Sequence, residues 1–379
     1  MKRFVLLDID GVLVRPLGYR AALRASLATF AGWMGCADFQ VEEEVIGDLE
    51  ARGISSEFDM LPLLVGALLS AALSEQSMRE FPEDLVEAVK SVSIASPLKP
   101  EAIHVPLFSL QDDCFPAEAA YRSGLYPGLP ETVRRSLLLN TRDVYRSATT
   151  RLFQQFVLGS QRFEQVYGLP AQVQSVSYLQ EYDQPLLDSL SRKRLERAWR
   201  SSTIHIAAMT ARPSLPPRGA VTVVEPYPPE AETALELIGW PDLPLIGLGK
   251  LEYVARKANL PVENLLKPAP AQALAAILVA SGEEELVALE AASAWLSGRA
   301  YSSTFDHLPG EFELNIVEDT LGGVRSVRAA AELLRQSGYR VDVRAWGLTE
   351  GNRSKRATLE DAGVRCFDTW GELLKEMEI

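Results

Sequence analysis

The stretch Arg3-Phe4-Val5-Leu6-Leu7-Asp8-Ile9-Asp10-Gly11-Val12-Leu13 decides how the rest of the chain is read. Its apolar run at residues 4–7 is short and ends in acid, acid and glycine, the pattern of a parallel strand buried on both faces that stops at a tight turn. An acid directly after such a strand lies at the carboxyl edge of the sheet, where open α/β folds place their ligands. Acids at i and i+2 let one carboxylate attack while the other handles a proton. Turn acids followed by glycine are also common punctuation, so this motif needs partners elsewhere in the chain.

The same strand grammar returns late, at 203–209 (TIHIAAM), 220–224, 314–317 (LNIV) and 340–345 (RVDVRA). Helical patterns alternate with these runs at 229–238, 270–280 and 321–337, the last closed by Gly338. Strands alternating with helices predict an α/β fold, a Rossmann-like parallel sheet flanked by helices. Residues 17–198 break the rhythm. Apolar residues recur there at helical spacing over 21–34, 58–73 and 131–167, while 97–130 holds six prolines and reads as turn-rich. The expected organisation is therefore a core of 1–16 and 199–379, with a large, mainly α-helical domain, 17–198, inserted after the first strand.

Composition narrows the function classes. The 379 residues carry 38 basic and 51 acidic side chains, a net charge of −13, which excludes recruitment to nucleic acid without a segregated basic face. The longest basic cluster, Arg192, Lys193, Arg194, Arg197 and Arg200, lacks interleaved aromatics and reads as a solvated helix end. Three scattered cysteines, Cys36, Cys114 and Cys366, give no metal or disulfide spacing and fit a reducing compartment. The apolar run after Met1-Lys2-Arg3 is too short for a leader, and the thirteen apolar residues at 61–73 fall short of the ~20 that span a bilayer. A cytoplasmic protein with no membrane partner is expected.

Three further motifs follow. Thr210-Ala211-Arg212-Pro213 ends the second strand, where a hydroxyl beside backbone amides can hold a phosphoryl oxygen. Lys267-Pro268-Ala269-Pro270 precedes an apolar helix, so the ammonium has a defined direction. The competing lysine is Lys250, in a glycine-containing run without the spacing of a phosphate-binding loop. Glu318-Asp319 ends a later strand, and acids converging from two strands make a hard-oxygen site suited to Mg²⁺.

In this order and at these positions the four motifs resemble those of the haloacid dehalogenase superfamily, most of whose members are phosphatases. The resemblance covers residues 1–16 and about 200–379, with 17–198 standing where the family inserts a cap. It implies Asp8 as nucleophile, Asp10 as general acid and base, and Lys267 as the orienting cation. Thr210, Ala211 and Arg212 would meet the substrate, and Mg²⁺ would be held by Asp8, Asp10, Asp319 and Glu318. The implied activity is Mg²⁺-dependent hydrolysis of a small phosphorylated metabolite through an aspartyl-phosphate. A phosphomutase of the same fold, or a non-catalytic metabolite-binding protein on this scaffold, is the alternative. Gly322, Gly323 and Val324 occupy the region where many relatives carry another acid, and the role of 281–313 is unassigned. Arg142 and Arg146, one helical turn apart by number, are either contacts for a second anionic group or an ion-paired face.

Overall fold

The computed structural model describes residues 1–36, 38–74, 82–92, 103–221, 226–296, 298 and 303–379. The chain divides into two compact units, Met1–Pro16 with Asp183–Ile379, and Leu17–Tyr182. The first contains β1 (Lys2–Leu7), β2 (Val14–Arg15), β3 (Gln184–Pro185), β4 (His205–Met209), β5 (Leu245–Ile246), β6 (Glu311–Glu318), β7 (Arg340–Leu348) and β8 (Arg365–Phe367). Six of these form one sheet in the order β5-β4-β1-β6-β7-β8, every neighbouring pair parallel.

Period-two alternation sorts the strand residues onto two faces. Phe4, Leu6, Met209, Phe312, Leu314 and Ile316 pack on one face with helices Pro270–Ala280 and Leu321–Gln336. Val5, Leu7, Ile206, Ala208 and Val317 pack on the other with helices Glu230–Leu237, Ser189–Arg200 and Trp370–Glu376. Helix Pro270–Ala280 is apolar on every side except at Gln272 because it is enclosed all round: residues 271–280 are buried. Its outer side is covered by helix Glu285–Leu296, which accounts for much of the unassigned 281–313 segment.

The structure moves several expected boundaries. Residues 183–198, assigned by sequence to the inserted domain, belong with the sheet: β3 pairs antiparallel with β2, and Leu187 and Leu195 enter the same core as Trp370 and Leu373. Edge strands β5 and β8 span two and three residues, too few to show a periodicity. The strand expected at 220–224 lies outside the described residues from 222 onward.

The second unit is helical, with one core formed by residues such as Leu27, Phe30, Leu64, Leu68, Leu137 and Phe153. The helical pattern at 131–167 is three helices, Glu131–Leu138, Ala148–Leu158 and Ser160–Tyr167. Asn140 at φ 58° and Gly159 at φ 80° interrupt it. A Cβ at Gly159 would also lie 2.7 Å from the Ser177 amide nitrogen, so the glycine permits both the bend and the packing. Arg142 and Arg146 consequently lie in the irregular link rather than on one helix. Arg142 binds buried Asp59 at 2.6 Å and stacks over Phe115, and Arg146 pairs with Asp143, so both are ion-paired.

Leu274, fully buried in helix Pro270–Ala280, tests the sheet unit's core. Leu274→Ala should destabilise the protein by roughly 2–5 kcal/mol, read as a lower urea midpoint for loss of helical circular dichroism.

Candidate active site

Strand order reverses around β1, since β4 and β5 extend the sheet on one side and β6 to β8 on the other. The carboxyl ends of β4, β1 and β6 thus open at a topological switch point. Asp8 is the first residue past β1, and its backbone amide donates to the Val317 carbonyl of β6 at 3.1 Å. Its Oδ1 accepts from the Ile9 amide at 2.8 Å, leaving Oδ2 to face Lys267 Nζ, also at 2.8 Å. The same ammonium lies 2.8 Å from Oε1 of Glu318, the last residue of β6. Glu318 is fully buried, and its Oε2 accepts from the Thr320 hydroxyl at 3.1 Å. Asp8, Glu318 and Asp319 bring carboxylate oxygens within 4.8 Å of one another.

The direction of Lys267 is built from the helix behind it. Gln272, in the first turn of Pro270–Ala280, accepts from the Lys267 amide at 3.2 Å through its side-chain oxygen. Its side-chain nitrogen donates to the carbonyls of Thr210 at 2.9 Å and Ile246 at 3.0 Å. One buried amide therefore ties the lysine's backbone to the ends of β4 and β5. Two glycines make room for the acids. A Cβ at Gly11, where φ is +71°, would fall 2.0 Å from Asp319 Oδ2, and one at Gly323 would fall 1.8 Å from Glu318 Oε1. Gly323 therefore serves packing against Glu318, and Asp319 finds its cation in Lys355, 2.6 Å away.

Asp10 stands apart from this cluster. Its Oδ1 accepts from Arg212 Nε at 2.7 Å and lies 2.6 Å from Arg212 Nη2, which also donates to Asp183 Oδ2 at 2.8 Å. Arg212, expected to meet the substrate, is buried and lies between two carboxylates. Thr210 follows β4, and because Leu7 pairs with Ala208 it stands at the sheet edge on the strand beside Asp8. Its hydroxyl accepts from the Arg212 amide at 3.1 Å, and Ala211 between them is exposed. Lys250 does not join the site: it is buried against Glu285 at 2.7 Å, with Arg218 on the other carboxylate oxygen. Sequence reading missed Asp183, Lys355 and Gln272. Gln272 carried a signal, as the lone polar residue in the apolar run at 271–280, whereas Asp183 carried none.

Electrostatics follow from burial. Desolvation pushes the Asp8 carboxyl well above its usual range, Glu318 adds to the rise, and Lys267 opposes it. Burial works against the Lys267 ammonium, but Asp8 and Glu318 more than offset that and raise its pKa. Asp319 is raised by burial, with Lys355 opposing. Among the described residues, Asp8, Asp10, Asp183, Glu318 and Asp319 form ion pairs with Lys267, Arg212 and Lys355, an excess of two formal negative charges within this group. An all-oxygen donor set with that excess fits a divalent hard cation such as Mg²⁺.

No protein-family model matches the chain. No curated protein matches it in sequence. Among solved structures it is similar to the X-ray structure of Northeast Structural Genomics Consortium target ZR25, with a TM-score of 0.68 at 15% identity, covering 100% of this chain and 98% of that one. That likeness extends over both units and shows the fold: an α/β protein with a parallel sheet and a large helical unit. It is also similar, with a TM-score of 0.43 and 15% identity over 90% of this chain and 91% of the other, to "Phosphatase Tt82 from Thermococcus thioreducens".

A carboxyl whose pKa is raised on folding contributes stability that is present below about pH 3.9 and is lost as pH climbs through its folded value. Asp8→Asn keeps the shape of the neutral acid. In chelator, its melting temperature should exceed that of the wild type at pH 7.5, with the gap shrinking as pH is lowered towards 4. A gap independent of pH would rule out Asp8 as the source of the strain.

Proposed function

We propose that this protein is a phosphatase acting on a small phosphorylated metabolite through an aspartyl-phosphate on Asp8. The observation that carries this reading is the convergence of the Asp8, Glu318 and Asp319 carboxylates at the carboxyl edge of a parallel sheet, with the buried Lys267 ammonium between the first two. It accords with the resemblance to the haloacid dehalogenase superfamily, and the order of Asp8, Thr210, Lys267 and Asp319 along the chain is the order that resemblance requires.

In this reading a carboxylate oxygen of Asp8 attacks phosphorus while the ester P–O bond breaks. Asp10 gives its proton to the departing oxygen. Water then attacks the acyl phosphate, Asp10 takes a proton from it, and inorganic phosphate leaves with Asp8 restored. The Thr210 hydroxyl and the Lys267 ammonium bind phosphoryl oxygens, a role that needs fixed charge more than mobile chemistry. Asp8, Asp319, Glu318 and the Asp10 carbonyl would hold Mg²⁺, which supplies charge neutralisation for a dianionic phosphoryl group entering an acidic site.

Turnover of p-nitrophenyl phosphate with Mg²⁺ is the direct test. Asp8→Asn should abolish it with the fold intact, and Asp10→Asn should lose least with this activated ester and most with alkyl phosphates. Lys267→Ala should lower kcat by about a hundredfold or more, whereas Lys250→Ala, which only breaks the pair with Glu285, should leave kcat within about threefold. The opposite ranking of the lysines would overturn the assignment.

Metal dependence is a separate expectation. EDTA should remove activity, Mg²⁺ should restore it, and Ca²⁺ should inhibit because its larger, flexible shell suits in-line attack poorly. Full activity in chelator would refute the metal role.

A further inference from the structure

The contacts of Arg212 define a device that the motif chemistry does not require. A guanidinium edge, Nε with one Nη, ordinarily forks across both oxygens of a carboxylate. Here both nitrogens of that edge converge on a single oxygen, Asp10 Oδ1, at 2.7 and 2.6 Å. The shared nitrogen, Nη2, is claimed at the same time by Asp183 Oδ2 at 2.8 Å. Among the described residues nothing donates to Asp10 Oδ2. The exposure pattern matches: the side chains of Arg212 and Asp183 are each 1% exposed, while that of Asp10 is 34% exposed. The arginine backbone is fixed as well, its amide donating to the Thr210 hydroxyl and its carbonyl accepting from the Leu248 amide at 3.0 Å.

We propose that Asp183 is a positioning residue for Asp10: by holding Arg212 Nη2 it keeps the guanidinium on Oδ1 alone and leaves Oδ2 to exchange a proton with the reacting oxygen. The proposal rests on the reading of Asp10 as general acid and base. Two acids compete for one arginine edge, and the buried one sets the geometry of the exposed one. With the Asp183 charge removed, the guanidinium is free to swing into a two-oxygen fork on Asp10, which occupies the oxygen needed for proton transfer. Arg212 thus acts through its placement and touches no reacting atom.

The test pairs crystallography with kinetics on the full chain. In Asp183→Asn, nearly isosteric, Arg212 should contact both oxygens of Asp10. With Mg²⁺ present, kcat for an alkyl phosphate should fall about tenfold, while kcat for p-nitrophenyl phosphate falls less than about threefold and KM moves less than about twofold. Asp183→Ala should change the same quantities in the same direction, and Asp183→Asn should add nothing further in an Asp10→Asn background. A purely structural role would lower both substrates equally. Equal losses, or a variant structure in which Arg212 remains on Oδ1 alone, would overturn the proposal. A wild-type protein that hydrolyses neither substrate would refute the phosphatase reading instead, and the Arg212 contact in the variant crystal would then decide the positioning by itself.

Discussion

An ammonium buried between two carboxylates is the constraint from which the sheet edge takes its form. Lys267 lies 2.8 Å from both Asp8 and Glu318, and all three side chains are shielded from water. Removing Lys267 leaves two buried carboxylates uncompensated, at a cost of about 3–5 kcal/mol. That penalty is why the surroundings are so specific. Gln272 fixes the lysine's backbone to two strand ends, and Gly323 admits Glu318 where any side chain would collide with it. A central cation flanked by excess acid is also an arrangement that is electrostatically incomplete alone, which is the physical sense in which the site calls for a ligand.

Around that centre the charges are graded by exposure. Glu318 is wholly enclosed, Asp319 is reached by Lys355 from the Arg353–Asp361 helix, and Asp10 faces outward on the tether of Arg212. Burial disfavours a carboxylate's charge and a neighbouring cation opposes that effect, so an enclosed acid depends on its partners more than an exposed one does. The three acids occupy environments that differ in that direction, although two of them are adjacent in sequence.

Much of the core was legible because its signals are local. The run at 4–7, the acids that end it and the apolar helix after Pro270 each declare themselves within a dozen residues. What stayed hidden depends on distance in sequence or on brevity. Asp183 meets Arg212 only because β3 pairs with β2, and neither two-residue strand carries a pattern. Nothing near Arg212 in sequence disclosed the buried acid it faces. The three-helix character of 131–167 was obscured because apolar spacing persists through Asn140 and Gly159, while backbone angles, not side chains, make the breaks.

The register of β1 has a consequence for how the chain assembles. Phe4 pairs with His205 and Leu314, so the central strand's two neighbours are synthesised some two hundred and three hundred residues after it. Leu17–Tyr182 has its own core and can collapse while the chain is still emerging. The first strand cannot, and remains an apolar edge in search of a partner until β4 appears. Loop closure on that scale makes docking of β1 a late and slow event. During that interval the strand leading to Asp8 is open to mispairing, and a molecular chaperone that binds extended apolar segments would find a recognition sequence at Lys2–Leu7.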